Sequence, residues 1–453
     1  MNIIIAGNGK VGTTLARQLS AEGYNVTLID SNPDVLKSSL DAMDVMAIQG
    51  NCASMGVLQE AGIKDADLLL AVTNADEVNL LCCTTAHGLN PKLHTIARIR
   101  NPEYTEQIYA LRSLFPLSMT INPELQTARE IARLLKYPGF LRRDTFAKGS
   151  TEIVELKIKK DSKLCDVSLI DMPSVIKTKV LVCAVLREGK ALVSNSGSFV
   201  LREGDRIFVT APSRNLTVML KNLGIITRPA RKVVLCGGGR SSYYLADILE
   251  KEGIGVCLIE KDPDRCRQLA TQLQNTQVFL ADATDQMLLE NEDLYDCDAM
   301  IAMTGIDEVN MIISLYANAR QIPQVITKLT HLENRTILDS LNLGSVISSK
   351  ELCSNNIVRY VRAMRNQTGA AVSLLAIADG QAEAIEFVVD EHTKNCGVPL
   401  KELKLKSGVL IGSITRGRST EIPGGDSAFH PGDSLVVITS GRGVLQQLND
   451  IFA

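Results

Sequence analysis

The sequence predicts an α/β chain built twice: two doubly wound parallel-sheet domains, each followed by a small α/β lobe. Three observations lead there. Asn2-Ile-Ile-Ile-Ala-Gly7-Asn8-Gly9-Lys10-Val11-Gly12 runs on to Leu28-Ile29-Asp30, and from Lys232 the same order returns as Gly237-Gly238-Gly239-Arg240-Ser241-Ser242 and Leu258-Ile259-Glu260. Gly7 and Gly237, Gly9 and Gly239, and Asp30 and Glu260 are each 230 residues apart, while Thr73, Asp76, Glu77 and Asn79 return 231 residues on as Thr304, Asp307, Glu308 and Asn310. Short apolar runs then alternate with helical patterns, which implies a parallel sheet covered on both faces.

Taken in order, strands are expected at residues 3–6, 26–29, 68–72 and 94–99, with helices after Gly12, after Asp34 and after Asp76. Asn122-Pro123-Glu124 starts a further helix, with Asn as N-cap and Pro in the first turn. Its Leu125, Ala128, Ile131, Ala132 and Leu135 fall on one stripe. That stripe packs either on its own domain or across an interdomain or intersubunit contact, and a lone subunit would leave it without a partner. After Tyr137-Pro138-Gly139 the pattern changes: a strand at 153–158, a small helix at 162–170, and strands at 180–187 and 206–210, the last preceded by a Glu203-Gly204-Asp205 turn. The second half ends in the same way at 384–389, 398–403, 410–416 and 434–438. Thr227–Lys232, basic and carrying a proline, reads as the linker. The expected domains are 1–140, 141–227, 232–366 and 370–453.

Composition excludes several functions. A net charge of −3 gives no electrostatic case for nucleic acid or an acidic membrane surface. With no tryptophan and 4% aromatics there is no stacking platform for single strands. Apolar runs are strand-sized, short of the roughly 18 residues that span a bilayer. The opening segment reads as a strand, not a signal peptide. Eleven cysteines without repeated C-x-x-C spacing suit reduced buried thiols. Histidines 87, 94, 331, 392 and 430 show no ligand spacing. A soluble, cytosolic chain is expected.

The glycine-rich turns carry the chemistry. Gly7 lets the chain turn after the strand, Gly9 lets backbone approach a phosphate, and Gly12 lets the helix pack closely with its N-terminus aimed at the anion. Asp30, ending the next strand, can accept hydrogen bonds from ribose hydroxyls. In the second copy Ser242 replaces the third glycine and costs close packing, but Gly237, Gly239 and Glu260 remain. Acids at both strand ends disfavour a 2′-phosphate, hence NADP. Thr73, at a strand end facing the cleft, has the better ligand claim; Asp76 and Glu77 equally suit a helix start. An NAD-dependent oxidoreductase is the alternative reading. It needs a positioned proton donor, and neither small lobe has a convincing His, Tyr-Lys or Cys constellation.

These residues, with Gly50-Asn51, the segment 97–101, Leu186-Arg187, Gly204-Asp205, Thr415-Arg416, Pro423 and Gly432-Asp433, resemble the Trk-type potassium-uptake regulatory subunits built of tandem RCK (KTN) domains, over essentially the whole chain. The resemblance implies Rossmann-like lobes that bind NAD(H), ATP or ADP. It implies a non-enzymatic homotetrameric ring, peripheral at the inner face of the cell membrane, that gates an integral-membrane Trk/Ktr-type potassium transporter and has no nucleic-acid partner. By position, cofactor contacts fall on Gly7, Asn8, Gly9, Lys10, Val11, Gly12, Asp30, Asn51, Cys52, Thr73 and Arg98. In the second copy they fall on Gly237, Gly238, Gly239, Arg240, Glu260, Asp282, Thr304 and Lys328. Lys10 fills a basic slot near the phosphates, and Arg98 and Lys328 resemble phosphate-facing bases. Asn51 and Asp282 stand where the family often has an aspartate beside adenosine. Glu124 resembles a glutamate that helps hold Mg2+ or another cation beside ATP; its aligned partner, Lys350, should not hold one the same way.

Overall fold

The structure is a computed structural model and describes residues 1–110, 115–136, 140–146, 149–193, 197–225, 230–330, 338, 341–364, 371–417, 419–440, 445 and 447–453. Tyr137-Pro138-Gly139, His331 and residues 227–229 of the expected linker lie outside them. The first repeat alternates β1 (Asn2–Ala6), α1 (Lys10–Ala21), β2 (Asn25–Asp30), α2 (Pro33–Ala42), β3 (Met46–Gln49), α3 (Met55–Glu60), β4 (Leu68–Ala71), α4 (Asp76–Leu89), β5 (His94–Arg98), α5 (Pro102–Ala110) and β6 (Met119–Ile121), and ends on α6 (Pro123–Leu135). Its strands are parallel in the order β3-β2-β1-β4-β5-β6. All four residues of β4 are buried, as central strands covered on both faces require. The order reverses between β1 and β4, where doubly wound sheets open a crevice at the strand ends.

The small lobe that follows has β7 (Arg142–Phe146), β8 (Thr151–Lys157), α7 (Met172–Ile176), β9 (Leu181–Arg187), β10 (Lys190–Leu192), β11 (Arg206–Ala211) and α8 (Ser213–Leu223), its sheet ordered β10-β9-β11-β8-β7. The second repeat has β12 (Lys232–Cys236), α9 (Arg240–Lys251), β13 (Gly255–Glu260), α10 (Pro263–Gln272), β14 (Thr276–Leu280), α11 (Gln286–Asn291), β15 (Ala299–Ala302), α12 (Asp307–Ala319), β16 (Gln324–Lys328), β17 (Ser345–Ile347) and α13 (Ser349–Met364). Its sheet order, β14-β13-β12-β15-β16-β17, repeats the first. The last lobe pairs β18 (Ala371–Ile377), β19 (Ala382–Val388), β22 (Ser434–Ser440), β20 (Val409–Arg416) and β21 (Ser419–Glu421) in that spatial order.

Two compact units result: Met1–Ala128 with Ser348–Val358, and Arg129–Ile347 with Arg359–Ala453. In the first, the opening turns of α13 join the first repeat. Thr127 Oγ1 donates to Ser349 Oγ at 2.8 Å, and Cys353 and Ile357 are fully buried. In the second, the C-terminal half of α6 joins the second repeat. Gln324 Nε2 donates to Leu134 O at 2.9 Å and Ser345 Oγ to Phe140 O at 3.1 Å. Ala128, Ile131, Ala132 and Leu135 are thus buried inside one chain, so the stripe of α6 does not by itself require a second subunit. The second unit also packs its two small sheets on one core, which includes Phe146, Phe208, Leu375 and Val436.

The structure corrects two further expectations. Residues 162–170 form turns and a bridge between Ser168 and Val200, not a helix, because Asp166 takes a left-handed φ of 61°; the helical turn comes later, opened by Pro173. The first helix starts at Lys10, not after Gly12, with Gly9 as its extended N-cap. Among the described residues no helix is long and apolar enough to cross a membrane.

Candidate nucleotide site

The first glycine turn is shaped by close backbone approach. Gly7 has φ +99°, and a Cβ there would lie 2.8 Å from Thr73 N; a Cβ on Gly12 would lie 1.9 Å from Gly7 O. Beside Gly9 a Cβ would meet nothing within 4 Å. That space lies at the first turn of α1, whose N-cap makes no side-chain hydrogen bond, unlike α2, capped by Asn32. Uncapped first-turn N–H groups and open space are what a phosphate needs.

Asp30 organises this turn. Its Oδ2 accepts from Asn8 N at 2.7 Å and its Oδ1 from Asn32 N at 2.9 Å, and each oxygen keeps a lone pair for a hydroxyl donor. Gly50 N donates to Asp30 O at 2.9 Å, which brings the Asn51-Cys52 turn alongside; Asn51 Oδ1 accepts from Ala53 N at 3.0 Å. Asn8 offers only backbone, since its buried amide donates to Ser39 Oγ at 2.8 Å and Val35 O at 3.0 Å. Val11 is buried against the core, and Lys10 is exposed at the helix start.

Across the crevice one buried residue, absent from the sequence-based site, ties the elements together. Asn79 Oδ1 accepts from Thr73 N at 2.9 Å and Thr73 Oγ1 at 2.7 Å, and its Nδ2 donates to Arg98 O at 2.8 Å. Thr73 therefore uses its hydroxyl proton inside the fold. Asn310 repeats every bond, to Thr304 N, Thr304 Oγ1 and Lys328 O at 2.8, 2.7 and 2.9 Å. The recurrence of this asparagine 231 residues on was the signal available in the sequence. Asp76 is a turn-holder too, accepting from Arg100 N and Asn101 N at 2.7 and 2.8 Å.

Arg98 donates through Nη2 to Glu124 Oε1 at 3.2 Å, leaving Arg98 Nε and Glu124 Oε2 buried without hydrogen-bond partners. Both atoms keep unused hydrogen-bonding capacity in a buried setting. In the second repeat Gly238 N and Asp262 N donate to Glu260 at 2.6 and 2.8 Å, and a Cβ on Gly237 would lie 2.9 Å from Thr304 Cα. Ser242 is fully buried and its hydroxyl donates to Gly237 O, so the turn keeps its shape around the extra side chain. Arg240 is exposed in the first turn of α9, and Asp282 Oδ1 accepts from Thr284 N at 2.9 Å, matching Asn51. Lys350 belongs to the segment of α13 grouped with the first unit.

Comparison with known proteins follows the same division. Residues 3–115 and 233–349 match the TrkA-N domain, and residues 153–224 and 384–453 match the TrkA-C domain. The chain belongs to the TrkA family. Among TrkA relatives, the Trk system potassium uptake protein TrkA homolog of Archaeoglobus fulgidus is 32% identical over 453 residues, 100% of both chains. TrkA of Halomonas elongata is 30% identical over 460 residues, covering 100% of this chain and 98% of its own. Of solved structures, the GsuK channel superposes with a TM-score of 0.62 at 16% identity, over 97% of this chain and 76% of that one. The GsuK channel bound to NAD gives 0.60 at 16% identity with the same coverage. At that identity the likeness speaks for the fold, and the TrkA family shares it.

Proposed function

We propose that this chain is a cytoplasmic, non-enzymatic regulatory subunit that binds NAD(H) and ATP or ADP and gates an integral-membrane Trk/Ktr-type potassium transporter at the inner face of the membrane. The observation that carries the reading is the open, uncapped turn at Gly9, flanked by Asp30 at the point where the strand order reverses. Relatives named as potassium uptake proteins support the transport role, and a GsuK channel bound to NAD supports the ligand class. Contacts are assigned to Gly7, the Asn8 backbone, Gly9 to Gly12, Asp30, Asn51, Cys52, Thr73 and Arg98, and to their second-repeat counterparts. Gating follows if nucleotide binds two arrangements of the assembly with different affinity.

Titrating NADH, NAD, ATP and ADP against the melting temperature tests the reading, because a ligand of the folded state raises it. Asp30→Ala should weaken binding at the first repeat by roughly 1.5–3 kcal/mol through lost charge-assisted hydrogen bonds. Calorimetry should show a smaller loss for Glu260→Ala; the opposite ranking would assign the stronger site to the second repeat.

The assembly proposed is a ring of four chains. Ile312, Leu315 and Tyr316, at helical spacing on α12, are 46, 39 and 42% exposed, an apolar face suited to association. Light scattering at micromolar concentration should report a tetramer, and a stable monomer would count against the ring.

A cation, Mg2+ or another, is proposed to accompany ATP at the first repeat. ATP brings negative charge towards Glu124 Oε2, and a shared cation makes that placement favourable. Glu124→Gln should remove the magnesium dependence of ATP affinity while leaving NAD affinity nearly intact. If the parent protein binds ATP equally well without cations, Glu124 serves only Arg98 and its helix start.

A further inference from the structure

The net charge of −3 is spread unevenly along the chain. Residues 141–225, the first small lobe, carry 15 Lys and Arg against 9 Asp and Glu, whereas residues 370–453, its duplicate, carry 7 against 10. Part of that excess gathers along α8. Lys163 Nζ donates to Asn222 O at 2.7 Å, and Asn222 Nδ2 donates to Ile176 O at 2.7 Å. These bonds bring Lys163 and Lys177 to the C-terminal end of the helix, where Lys221 also lies. Asn215 Nδ2 donates to Lys179 O at 2.7 Å, which brings Lys179 to the other end, beside Arg214. All five basic residues are exposed, as are Thr217 and Val218 on the face of α8 between Arg214 and Lys221. The 11 residues of α8 make the strip roughly 16 Å long.

Among the described residues none of the five has an ion-pair partner, while the exposed Lys136, Lys251 and Lys401 pair with Glu252, Asp247 and Asp426. Asp161, Asp166 and Asp171, the acids of the segment before α7, form no ion pair with the strip; Asp171 Oδ2 accepts from Ser168 Oγ at 2.6 Å. Helix stability does not account for the pattern. Lys163 and Lys221 suit the negative end of α8, but Arg214 stands in its first turn, where a positive charge meets the positive end.

We propose that this strip lays the first small lobe on the anionic headgroups of a phospholipid bilayer. Four of the five are lysines, whose flexible point charges suit a sheet of mobile headgroups better than a single fixed anion. Val218 is 36% exposed within the strip, and Ile170, just before the turn that ends on Lys177, is 72% exposed. Such apolar side chains can enter the headgroup boundary while the lysines hold the lobe there. Helix α8 carries no aromatic residue, so it offers no stacking platform for single-stranded nucleic acid. The contact needs lipid alone and turns the first small lobe, not the second, towards the bilayer. It would keep a transport regulator near its partner, yet it does not depend on the functional reading above.

Cosedimentation of the full-length protein with sucrose-loaded vesicles tests the surface. At low salt, vesicles of phosphatidylcholine with one-third phosphatidylglycerol should carry the protein down and phosphatidylcholine alone should not. Salt at about 0.5 M should release it. Each lysine near an anionic surface is worth about fivefold in partition, so Lys177→Gln with Lys179→Gln should lower the partition coefficient about 25-fold. Arg214→Gln with Lys221→Gln should do the same, so that a fold defect in one pair does not decide the result. Lys404→Gln with Lys406→Gln, in the second small lobe, should leave binding nearly unchanged. Binding that ignores lipid charge, survives both pairs of substitutions or falls equally with the control pair would overturn the proposal. So would a failure to bind anionic vesicles at low salt. Retention by duplex DNA without vesicle binding would overturn it too and assign the strip to nucleic acid.

Discussion

Gly12→Val should remove nucleotide binding from the first repeat while leaving the second repeat able to bind. The Cβ would arrive 1.9 Å from Gly7 O, a backbone atom of the residue that follows β1 and is held by Gly7 N donating to Ile29 O at 2.8 Å. Helix α1 must then withdraw from the turn, which separates its N-terminal N–H groups from the open space beside Gly9. Overpacking of this kind costs on the order of 1–3 kcal/mol. Because the displaced groups are those that would meet phosphate, the loss should appear in affinity as well as stability. Serine is the informative control. Ser242 fits the equivalent place by donating its hydroxyl to Gly237 O, so Gly12→Ser should lose much less. Isothermal titration on the parent and both variants, with and without Glu260→Ala to weaken the second site, measures both parts of this expectation. Equal affinity for valine and glycine would mean that the ligand does not use this turn.

The largest effect on stability is expected in the first small lobe, from Arg143→Met. Arg143 Nη2 donates to Glu152 Oε1 at 2.6 Å and Arg143 Nε to Glu152 Oε2, and Ser213 Oγ donates to the same carboxylate. Arg143 and Glu152 are 8 and 2% exposed. Among the described residues, removing the guanidinium leaves the buried carboxylate facing only the Ser213 hydroxyl, a change that costs about 3–5 kcal/mol. Removing both charges, as Arg143→Met with Glu152→Met, should recover most of the loss, since a matched apolar pair carries no such penalty. Denaturation midpoints of the parent, single and double variants supply the comparison. A single variant as stable as the parent would mean that the pair contributes little to holding β7 on β8.

What could be read from the sequence follows how locally each feature is encoded. β1 and β4 carry continuous apolar runs and β2 and β5 shorter ones, and Asn122 does cap its helix, accepting from Leu125 N at 2.9 Å. The strands not anticipated are short or at sheet edges. Met119–Ile121 has three residues, and Met46–Gln49 mixes exposed and buried positions, so neither offers a run to recognise. The helix expected at 162–170 failed because a left-handed residue at Asp166 is compatible with an apolar pattern yet ends a helix. At the site, the glycines and acids were visible because their backbone roles need those residue types. Asn8 lies in the glycine turn and Thr73 after β4, but their side chains are used by the fold. That use depends on Ser39, Val35 and Asn79, which come close only once the sheet has formed. The mixing of α6 and α13 between repeats, invisible to any local pattern, also lay beyond the sequence.

That exchange of helices has a kinetic and an evolutionary side. Two separate subunits trading helices would meet at a rate set by their concentration; here the linker makes the encounter intramolecular, so the pairing persists at any dilution. Each repeat lacks a packing partner until the other is made, so a half-chain should expose apolar surface and call on chaperones during synthesis. Fusion also frees the two halves from identity. A homodimer must place every substitution twice, whereas this chain carries Gly12 opposite Ser242, Glu124 opposite Lys350 and Cys52 opposite Ala283. One half can specialise in sensing while the other drifts towards support.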